Sequence, residues 1–448
     1  MIRTDYPFVQ NREQWLRFLA VAVFFLYFVF TFFGTELPFQ EKYQDVQDVD
    51  TSNILNQVIY SPMYVAAVLC LLYKYQSAWN VIRSEKYLTL FLAWSLISIL
   101  WSDYWFVSFK RWLQLFGGTA VILSGLVYAR TTENILASIR IVLVCYLTLT
   151  LAAIIFHPGA LDPDFHTFRG LEPSKNVFGQ TCLLSLIFWT YFLQNSHSRL
   201  ESGANIFFWI LSFFLFVGSA SYTAYFSLGF LLIIFFNIYL HKKIFKRVIG
   251  SIFSYLLLLF TNASIFWLLL ALKGPIERVL HLFGKDLTLT GRTELWTLVF
   301  ELTKDHLFLG SGFGGFWTPN ASFMHSFFEE HYWIPNQSHM GYLDVWNNTG
   351  LIGLLLCIWM LVSCLRKLAY YEKTTLWKWC ILAALVLNVA ESLLFNSHML
   401  VNEILVLSYL AFYTEQNEQI LCPHERREKR SSLYRTNHPI GGRPESSS

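Results

Sequence analysis

Apolar runs of close to 20 residues recur along this chain from about residue 15 to residue 414, and no polar stretch of domain size separates them. A helix needs about 20 apolar residues to cross the ~30 Å of hydrocarbon in a bilayer. Only helices and closed barrels satisfy their backbone hydrogen bonds in lipid, and these runs are too long for barrel strands. The sequence therefore predicts an all-α, polytopic membrane protein.

Composition agrees with that fold class. Of the 448 residues 55% are hydrophobic and only 14% are charged, which excludes an ordinary chain of two or three soluble domains. The net charge of +3 is small and gives no indication of a nucleic acid partner. The seven cysteines include no Cys-x-x-Cys pair, so neither a zinc site nor a disulfide framework is predicted.

The apolar runs divide into twelve predicted spans. The first is followed by an acidic loop at 36–50, whereas arginines precede it, and this asymmetry places the N-terminus on the cytoplasmic side. With an even number of spans, the basic clusters and the C-terminus fall on that side too. The approximate bounds are 15–33, 54–73, 87–101, 112–128, 141–156, 177–194, 205–218, 224–240, 249–271, 341–363, 379–396 and 399–414.

The spans define the predicted domain organisation. Residues 1–414 form one membrane domain, and its long outer loop covers about 272–340. The tail at 415–448 is basic and polar, has too few apolar residues to bury a core, and is predicted to be disordered and cytoplasmic.

Some cations fall on the outer side, where the inside bias of positive charge disfavours them. Those that need an explanation are Lys110, Arg111, Arg169, Lys175 and Arg292. Such a residue is either a snorkelling anchor or an anion-binding group. The pattern favours an anchor for the first two, which precede and open the fourth span. Arg169 and Lys175 flank a Gly and a Pro before a helix N-terminus, which is typical both of a phosphate site and of a solvated loop.

Arg292 begins a segment with helical spacing of apolar residues, which predicts an amphipathic helix on the outer membrane surface. His339 lies just before the tenth span, at the lipid–water boundary. A histidine there is either structural or able to accept a proton from a hydroxyl near neutral pH. Glu391, inside the eleventh span, is predicted to be a packed, protonated or paired carboxyl.

Other patterns are weaker. The Asp-x-Asp pairs at 48–50 and 162–164 and the His- and Glu-containing stretch 325–331 are short enough to arise by chance, so no metal or cofactor is predicted. The glycine-rich stretch 310–315 follows no predicted strand and indicates a turn in which the backbone approaches another group closely.

Taken together, the outer motifs resemble the O-antigen ligase and polymerase family, and within it the exopolysaccharide polymerases of the ExoQ type. The resemblance is specific mainly in 169–179 and 291–354. The motifs in chain order are Arg-Gly…Lys-Asn (169–176), Gly-Arg-x-x-x-Trp (291–296), Asp-His-x-x-x-Gly-Ser-Gly-x-Gly (305–314), Ser-His-x-x-Tyr (338–342) and Asn-x-Gly-Leu-Ile-Gly-Leu (348–354).

This resemblance implies a GT-C-like glycosyltransferase of the bacterial inner membrane. Such an enzyme polymerises undecaprenyl-diphosphate-linked oligosaccharide on the periplasmic side, without a metal and with inversion at the sugar carbon. By motif, Arg292, Arg169 and Lys175 would hold the donor's diphosphate, with Arg111 as a further cation in that role, and His339 would be the general base. The family often has Asn after this histidine, whereas this chain has Met340.

Alternative functions share much of this pattern. An O-antigen ligase would use the same donor and transfer the glycan to lipid A–core. A transporter or flippase for the same lipid would explain the spans and the outer cations, although no internal repeat typical of transporters is evident. Family resemblance further implies membrane lipid, a flippase and a chain-length regulator as partners.

Loop aromatics leave two interpretations open. They either stack on sugar rings or rest among lipid headgroups as an aromatic belt. They are Phe313, Phe316, Trp317, Phe323, Phe327, Phe328, Tyr332 and Trp333.

Overall fold

The computed structural model describes residues 7–35, 39, 54–129, 131–163, 166–244, 292–318, 336–370 and 375–421. In these ranges the chain forms thirteen α-helices. They are α1 (Pro7–Phe33), α2 (Ile54–Tyr73), α3 (Tyr75–Ser84), α4 (Lys86–Ile97), α5 (Trp105–Tyr128), α6 (Thr132–Phe156), α7 (Lys175–Gln194), α8 (Arg199–Gly218), α9 (Tyr222–Ile244), α10 (Arg292–Thr303), α11 (Gly341–Tyr370), α12 (Thr375–Leu387) and α13 (Leu400–Leu421).

Seven segments within these helices are long and apolar enough to cross a membrane: Asn11–Phe33, Ile54–Tyr73, Thr132–Phe156, Lys175–Gln194, Arg199–Gly218, Tyr222–Tyr239 and Gly341–Arg366. Shorter apolar helical segments cover Lys86–Trp101, Leu376–Leu387 and Leu400–Ala411. No strand forms in the described ranges. The predicted all-α, multi-pass membrane architecture is confirmed, whereas the count of twelve stays a prediction, because the span at 249–271 lies outside the described residues.

The bundle is built around α5, which packs against α1, α2 and α13. Two α5 glycines explain how closely its neighbours approach. A Cβ at Gly117 would lie 2.3 Å from a ring carbon of Tyr64 in α2, and one at Gly125 would lie 2.6 Å from the ring of Phe24 in α1. Small residues permit such contacts between helices in lipid, where van der Waals packing rather than water exclusion drives association.

One predicted boundary in the N-terminal half is wrong. The fourth span begins at Trp105 rather than 112, so Lys110 and Arg111 lie inside α5 instead of at its start. The stretch 74–86, between the second and third predicted spans, is mostly helical: it contains α3, which buries Ala78 and Val81.

The eleventh predicted span, 379–396, is also wrong in its second half, because α12 ends at Leu387. Asn388 explains the end of the helix. Its Oδ1 accepts hydrogen bonds from the backbone N–H groups of Leu393 (2.9 Å) and Leu394 (2.7 Å). The side chain thus replaces the carbonyl acceptors that a continued helix would supply.

Residues 388–399, which we call the α12–α13 segment, therefore cross the interior in irregular conformation. Asn402 Oδ1 accepts from the backbone N–H of Phe395 at 2.9 Å. Phe395 and His398 have φ values of 54° and 66°, a region that residues other than glycine seldom adopt. The segment is held in this shape by side chains of α13 and by its own Asn388.

Helix α11 bends at Gly350, where φ is 67° and ψ is −174°. The bend interrupts the helical hydrogen-bond ladder, and neighbouring elements satisfy the groups that it frees. Trp94 Nε1 donates to the carbonyl of Thr349 at 2.8 Å. The backbone N–H of Leu351 donates to the carbonyl of Leu307 at 3.0 Å. The stretch after α10 is thereby attached to α11.

Gly310 shows the close backbone approach that the glycine-rich pattern predicts. Its φ is 70°, and a Cβ there would lie 2.4 Å from the backbone nitrogen of Gly350. Any side chain at this position would separate the turn from α11. Residues that follow in this turn, Phe313 and Gly314, form part of the wall of the cavity described below.

Replacing Gly310 by Ala should destabilise the protein by about 2–6 kcal/mol, since it adds both a left-handed non-glycine residue and a steric clash. Thermal unfolding of the purified protein in detergent measures this. The matched control is Gly203→Ala in α8, where a Cβ meets nothing within 4 Å and a helical Gly→Ala change should be neutral or stabilising. Equal unfolding temperatures for the two variants would contradict the packing described.

The predicted domain boundaries stay predictions. Helix α13 continues to Leu421, beyond the expected end of the last span at 414. The rest of the predicted tail, 422–448, lies outside the described residues, as do 272–291 and 319–335 of the predicted long loop.

Candidate functional site

His339, immediately before α11, is paired with a carboxylate from the α12–α13 segment. Its Nδ1 lies 3.3 Å from Glu391 Oε2, and the side chains are 27% and 6% exposed. Gln337 Nε2 lies 3.3 Å from the same Nδ1. Glu391 is thus the paired carboxyl that the sequence allowed, although it lies in an irregular segment and not in a helix.

The backbone of His339 is held in the left-handed region, with φ at 53°. Hydrogen bonds fix the residues on either side. The backbone N–H of Ser338 donates to the carboxylate of Asp344 at 3.2 Å, and that of Met340 donates to Ser392 Oγ at 3.1 Å. A strained conformation at a candidate catalytic residue persists only where its surroundings determine it in this way.

Asp344 is buried, and a second donor reaches it: Trp317 Nε1 lies 2.9 Å from its Oδ1. Trp296 Nε1 of α10 donates to the carbonyl of Ser338 at 2.7 Å. Helix α10 has the predicted apolar face, and its fully buried members Leu295 and Val299 pack in one cluster with Trp317. The apolar face of α10 therefore packs on the protein near His339. Trp296 and Trp317 join α10 and the loop after it to the His339 stretch through hydrogen bonds to Ser338 and Asp344.

A cavity of about 330 Å³ lies beside this pair. The wall of the cavity includes Gln337, which contacts the His339 ring, and Ser392, which accepts from the Met340 N–H. The wall is rich in carboxamides, namely Gln114, Asn336, Gln337, Asn348 and Asn396. Its aromatic residues are Phe91, Phe313, Trp317 and Phe395.

Arg111 of α5 also lines the cavity. Its Nη1 donates to the carbonyl of Gly314, and both Nη atoms lie 3.3 Å from the carbonyl of Trp317. The interpretation of Arg111 as an anchor in the headgroup layer is therefore wrong, because its guanidinium is directed into the protein and holds the loop after α10. Contact of Arg111 with a diphosphate stays a prediction.

Replacing Arg111 by Ala should loosen that loop. Loss of its charged donors should speed hydrogen exchange of the Phe313 and Gly315 amides by about tenfold, the equivalent of roughly one hydrogen bond of stability. Mass spectrometry of the exchanged protein measures this. The adjacent control is Lys110→Ala, whose ammonium lies over the ring of Phe106; equal exchange in both variants would show that Arg111 does not hold the loop.

Arg169 and Lys175 come from the connection between α6 and α7 and are not part of the cavity wall. Arg169 Nε donates to the carbonyl of Gly159 at 2.7 Å. Lys175 is the first residue of α7, which Ser174 caps through its Oγ. The predicted helix N-terminus is therefore present at this pair. Arg292 is the first residue of α10, and its side chain lies outside the described part of the structure.

Comparison with known proteins gives two matches. The family model described as O-antigen ligase matches residues 206–358. The exopolysaccharide production protein ExoQ of Rhizobium meliloti (strain 1021) is 36% identical over 114 residues, which cover 24% of this chain and 26% of that protein. The match thus spans about a quarter of the relative's length. The predicted resemblance to the O-antigen ligase family is confirmed.

The stretch that matches the O-antigen ligase family contains α10, His339 and the start of α11. Arg111, the Arg169–Lys175 loop and Glu391 lie outside it. Two parts of the candidate site therefore come from outside the matched stretch. Helix α5 forms part of the cavity wall, and the α12–α13 segment provides the partner of His339.

Glu172 lies in the α6–α7 connection, between Arg169 and Lys175 in the sequence, and is half-buried. Its Oε1 accepts hydrogen bonds from Tyr146 Oη at 2.8 Å and Thr181 Oγ1 at 3.3 Å. Burial raises its pKa from about 4.5 to about 7, although both hydrogen bonds act in the opposite direction. This carboxyl therefore changes charge close to neutral pH beside Arg169.

A raised acid pKa makes the folded state favour the protonated form. The stability that Glu172 contributes is therefore fully present below about pH 4.5 and is lost as the pH rises through about 7. Between those values the unfolding temperature of the native protein should fall relative to that of Glu172→Gln. The control is Glu133→Gln, at an exposed carboxyl in α6. Parallel curves for native protein and Glu172→Gln would contradict a raised pKa of Glu172.

Sequence reasoning missed Asp344, Ser392 and the carboxamides of the cavity wall other than Asn348, which lies in a recognised motif. One signal was present. The eleventh apolar run contains Asn388, Glu391, Ser392 and Asn396 within a few residues, and such polar residues in a membrane segment face protein or a water-filled cavity.

Proposed function

We propose that this protein is a glycosyltransferase that polymerises undecaprenyl-diphosphate-linked oligosaccharide repeat units at the periplasmic face of the inner membrane, with both termini cytoplasmic. The observation that carries the proposal is the His339–Glu391 pair beside a polar cavity, with the histidine inside the stretch that matches the O-antigen ligase family. The ExoQ relative, described as an exopolysaccharide production protein, supports polymerisation.

The pair has the arrangement of a general base with its orienting group. An imidazole whose Nδ1–H donates to a carboxylate carries its lone pair on Nε2. Nε2 takes the proton of the acceptor hydroxyl while the hydroxyl oxygen forms a bond to the anomeric carbon. The imidazolium that results is stabilised by Glu391, which is only 6% exposed. Glu391 provides a local partner for the ring although Met340 replaces the more usual asparagine.

The diphosphate leaves with the electron pair of its bond to the sugar. Attack on the opposite face inverts the anomeric carbon. In this proposal Arg292, Arg169 and Lys175 hold the leaving diphosphate, because preorganised cations in a water-poor site stabilise developing negative charge effectively. The helix N-terminus at Lys175 adds its dipole to that field. No metal is required for this step, so transfer should persist in EDTA.

A ligase reaction is the second candidate. It uses the same donor and base and differs only in the acceptor, which would be lipid A–core. The description of the matching family model as O-antigen ligase favours it.

One experiment separates these functions. The purified full-length protein is incubated with lipid-linked oligosaccharide alone, with and without EDTA, and the products are resolved on a gel. A ladder of repeat units in both conditions supports metal-independent polymerisation. Transfer only after addition of lipid A–core supports the ligase. No new glycosidic bond in either case, with movement of the lipid across vesicle membranes, would overturn both in favour of a transporter.

His339→Ala should lower the rate of ladder formation by about 10²–10⁴-fold, the usual contribution of a general base. Glu391→Gln should lower it by about 10–100-fold, because the amide keeps the shape but not the charge that orients the ring. His197→Ala, at an exposed histidine, should leave the rate unchanged. Native rates in His339→Ala would exclude the assigned base.

A further inference from the structure

We propose that the cavity beside His339 is the subsite for the acceptor and binds an uncharged, hydroxyl-rich sugar through the carboxamides Gln114, Asn348 and Asn396. The inference rests on the proposed function and deepens it. Gln114 and Asn396 lie outside the motifs that predicted the site, and Asn348 lies within one of them, where it was assigned no role.

An unsatisfied polar atom in the wall indicates a ligand. Asn348 lines the cavity, and its Oδ1 is buried without a hydrogen-bond partner among the described residues. A buried acceptor without a hydrogen bond costs about 1–3 kcal/mol of stability, and nearly all buried polar groups in native proteins are hydrogen-bonded. A sugar hydroxyl is a donor that would satisfy this oxygen, because it offers one O–H and two lone pairs.

The charges of the wall select a neutral ligand over a diphosphate. Arg111 and Asp344 are the charged side chains among the residues that line the cavity. The guanidinium of Arg111 donates to the carbonyls of Gly314 and Trp317, and Asp344 accepts from Trp317 and Ser338. The wall therefore holds one positive and one negative group, each already bonded. Carboxamides, which both donate and accept, match hydroxyls better than phosphate oxygens.

Aromatic residues complete the match to a sugar. Phe313 and Trp317 are each 7% exposed and lie in the cavity wall. A sugar ring has an apolar face of C–H groups that packs on such rings while its hydroxyls remain at the edge. The cavity volume of about 330 Å³ is at the small end of the ~300–1,000 Å³ of ligand pockets, which suits a short piece of glycan and excludes a long lipid chain.

Gln337 assigns the cavity to the acceptor. Its side chain lines the cavity and its Nε2 lies 3.3 Å from His339 Nδ1. The wall thus includes a direct neighbour of the proposed base. In this proposal the sugar is held beside that neighbour, and its hydroxyl extends past it to Nε2 of His339. Arg169 and Lys175, proposed to hold the donor's diphosphate, are not in this wall.

The test measures binding of sugar without lipid or phosphate. The probe is the repeat-unit oligosaccharide released from its lipid by mild acid and labelled at its reducing end. Equilibrium dialysis is performed with the full-length protein, with Asn348→Leu, Gln114→Leu and Asn396→Leu, and with Asn237→Leu as the matched control. Asn237 is a half-buried helical asparagine of α9. Undecaprenyl diphosphate, which lacks sugar, is the competitor.

Each wall variant should weaken binding by roughly tenfold, the equivalent of about one hydrogen bond. Asn237→Leu should bind as the native protein does, and undecaprenyl diphosphate should not displace the probe. Equal binding by native protein and wall variants, or no binding by the native protein, would overturn the subsite. Displacement by undecaprenyl diphosphate would assign the cavity to the donor instead, which also overturns it.

Thermal unfolding identifies a variant that fails to fold, and the exposed position of Asn396 keeps at least one variant informative. The gel assay separates this inference from the proposed function. Sugar binding that depends on the wall, without ladder or ligation, would reject the function and retain the subsite. Ladders from native protein with unaltered binding in the variants would reject the subsite alone.

Discussion

Each backbone N–H and C=O that leaves a helix inside an apolar bundle has to find a partner within the protein, because lipid provides none. This requirement determines where irregular structure occurs in this chain. The α12–α13 segment exists because Asn388 and Asn402 provide acceptors for its amides. The loop after α10 is stabilised by Arg111, which donates hydrogen bonds to its carbonyls, and it packs against the bend in α11. The candidate site lies where these two irregular pieces meet.

Two carboxylates act on the same histidine in different ways. Glu391 contacts the imidazole, whereas Asp344 binds the backbone N–H that precedes it. Ring orientation and backbone conformation are therefore fixed by separate groups from separate elements. This separation explains how His339 keeps a left-handed φ close to the start of a membrane-spanning helix. Removing either carboxylate alone leaves the other constraint in place.

Hydropathy predicted the fold well where an apolar run is uninterrupted. The second span, 54–73, coincides with Ile54–Tyr73. It failed at 379–396, since averaging over the run hides Asn388 and Glu391, whose side chains end the helix and form the site. The start of α5 was misplaced for a similar reason: Arg111 looks like the end of a membrane segment, yet its charge is satisfied inside the protein by loop carbonyls.

Local patterns identified His339 and the glycine turn, because a Ser-His sequence before a span and alternating glycines are visible within a few residues. The partner of His339 could not be found in this way. Glu391 lies far along the chain, and neither helical periodicity nor spacing connects it to the histidine. Asn348 was within a recognised motif, but its unsatisfied oxygen depends on the three-dimensional surroundings. Motif reasoning therefore finds the proposed base more readily than the groups that contact it.

The cavity wall is assembled from α4, α5, the loop after α10, the start of α11 and the α12–α13 segment. Each contributes only a few side chains, and most of these elements also belong to the packed bundle. Grafting any one loop from a relative would therefore replace a single face and leave the remaining shape unchanged. If the cavity binds a glycan as proposed, recognition of a different glycan would have to arise through scattered point substitutions. Whole-loop chimeras would then be a poor route to altered specificity in this scaffold.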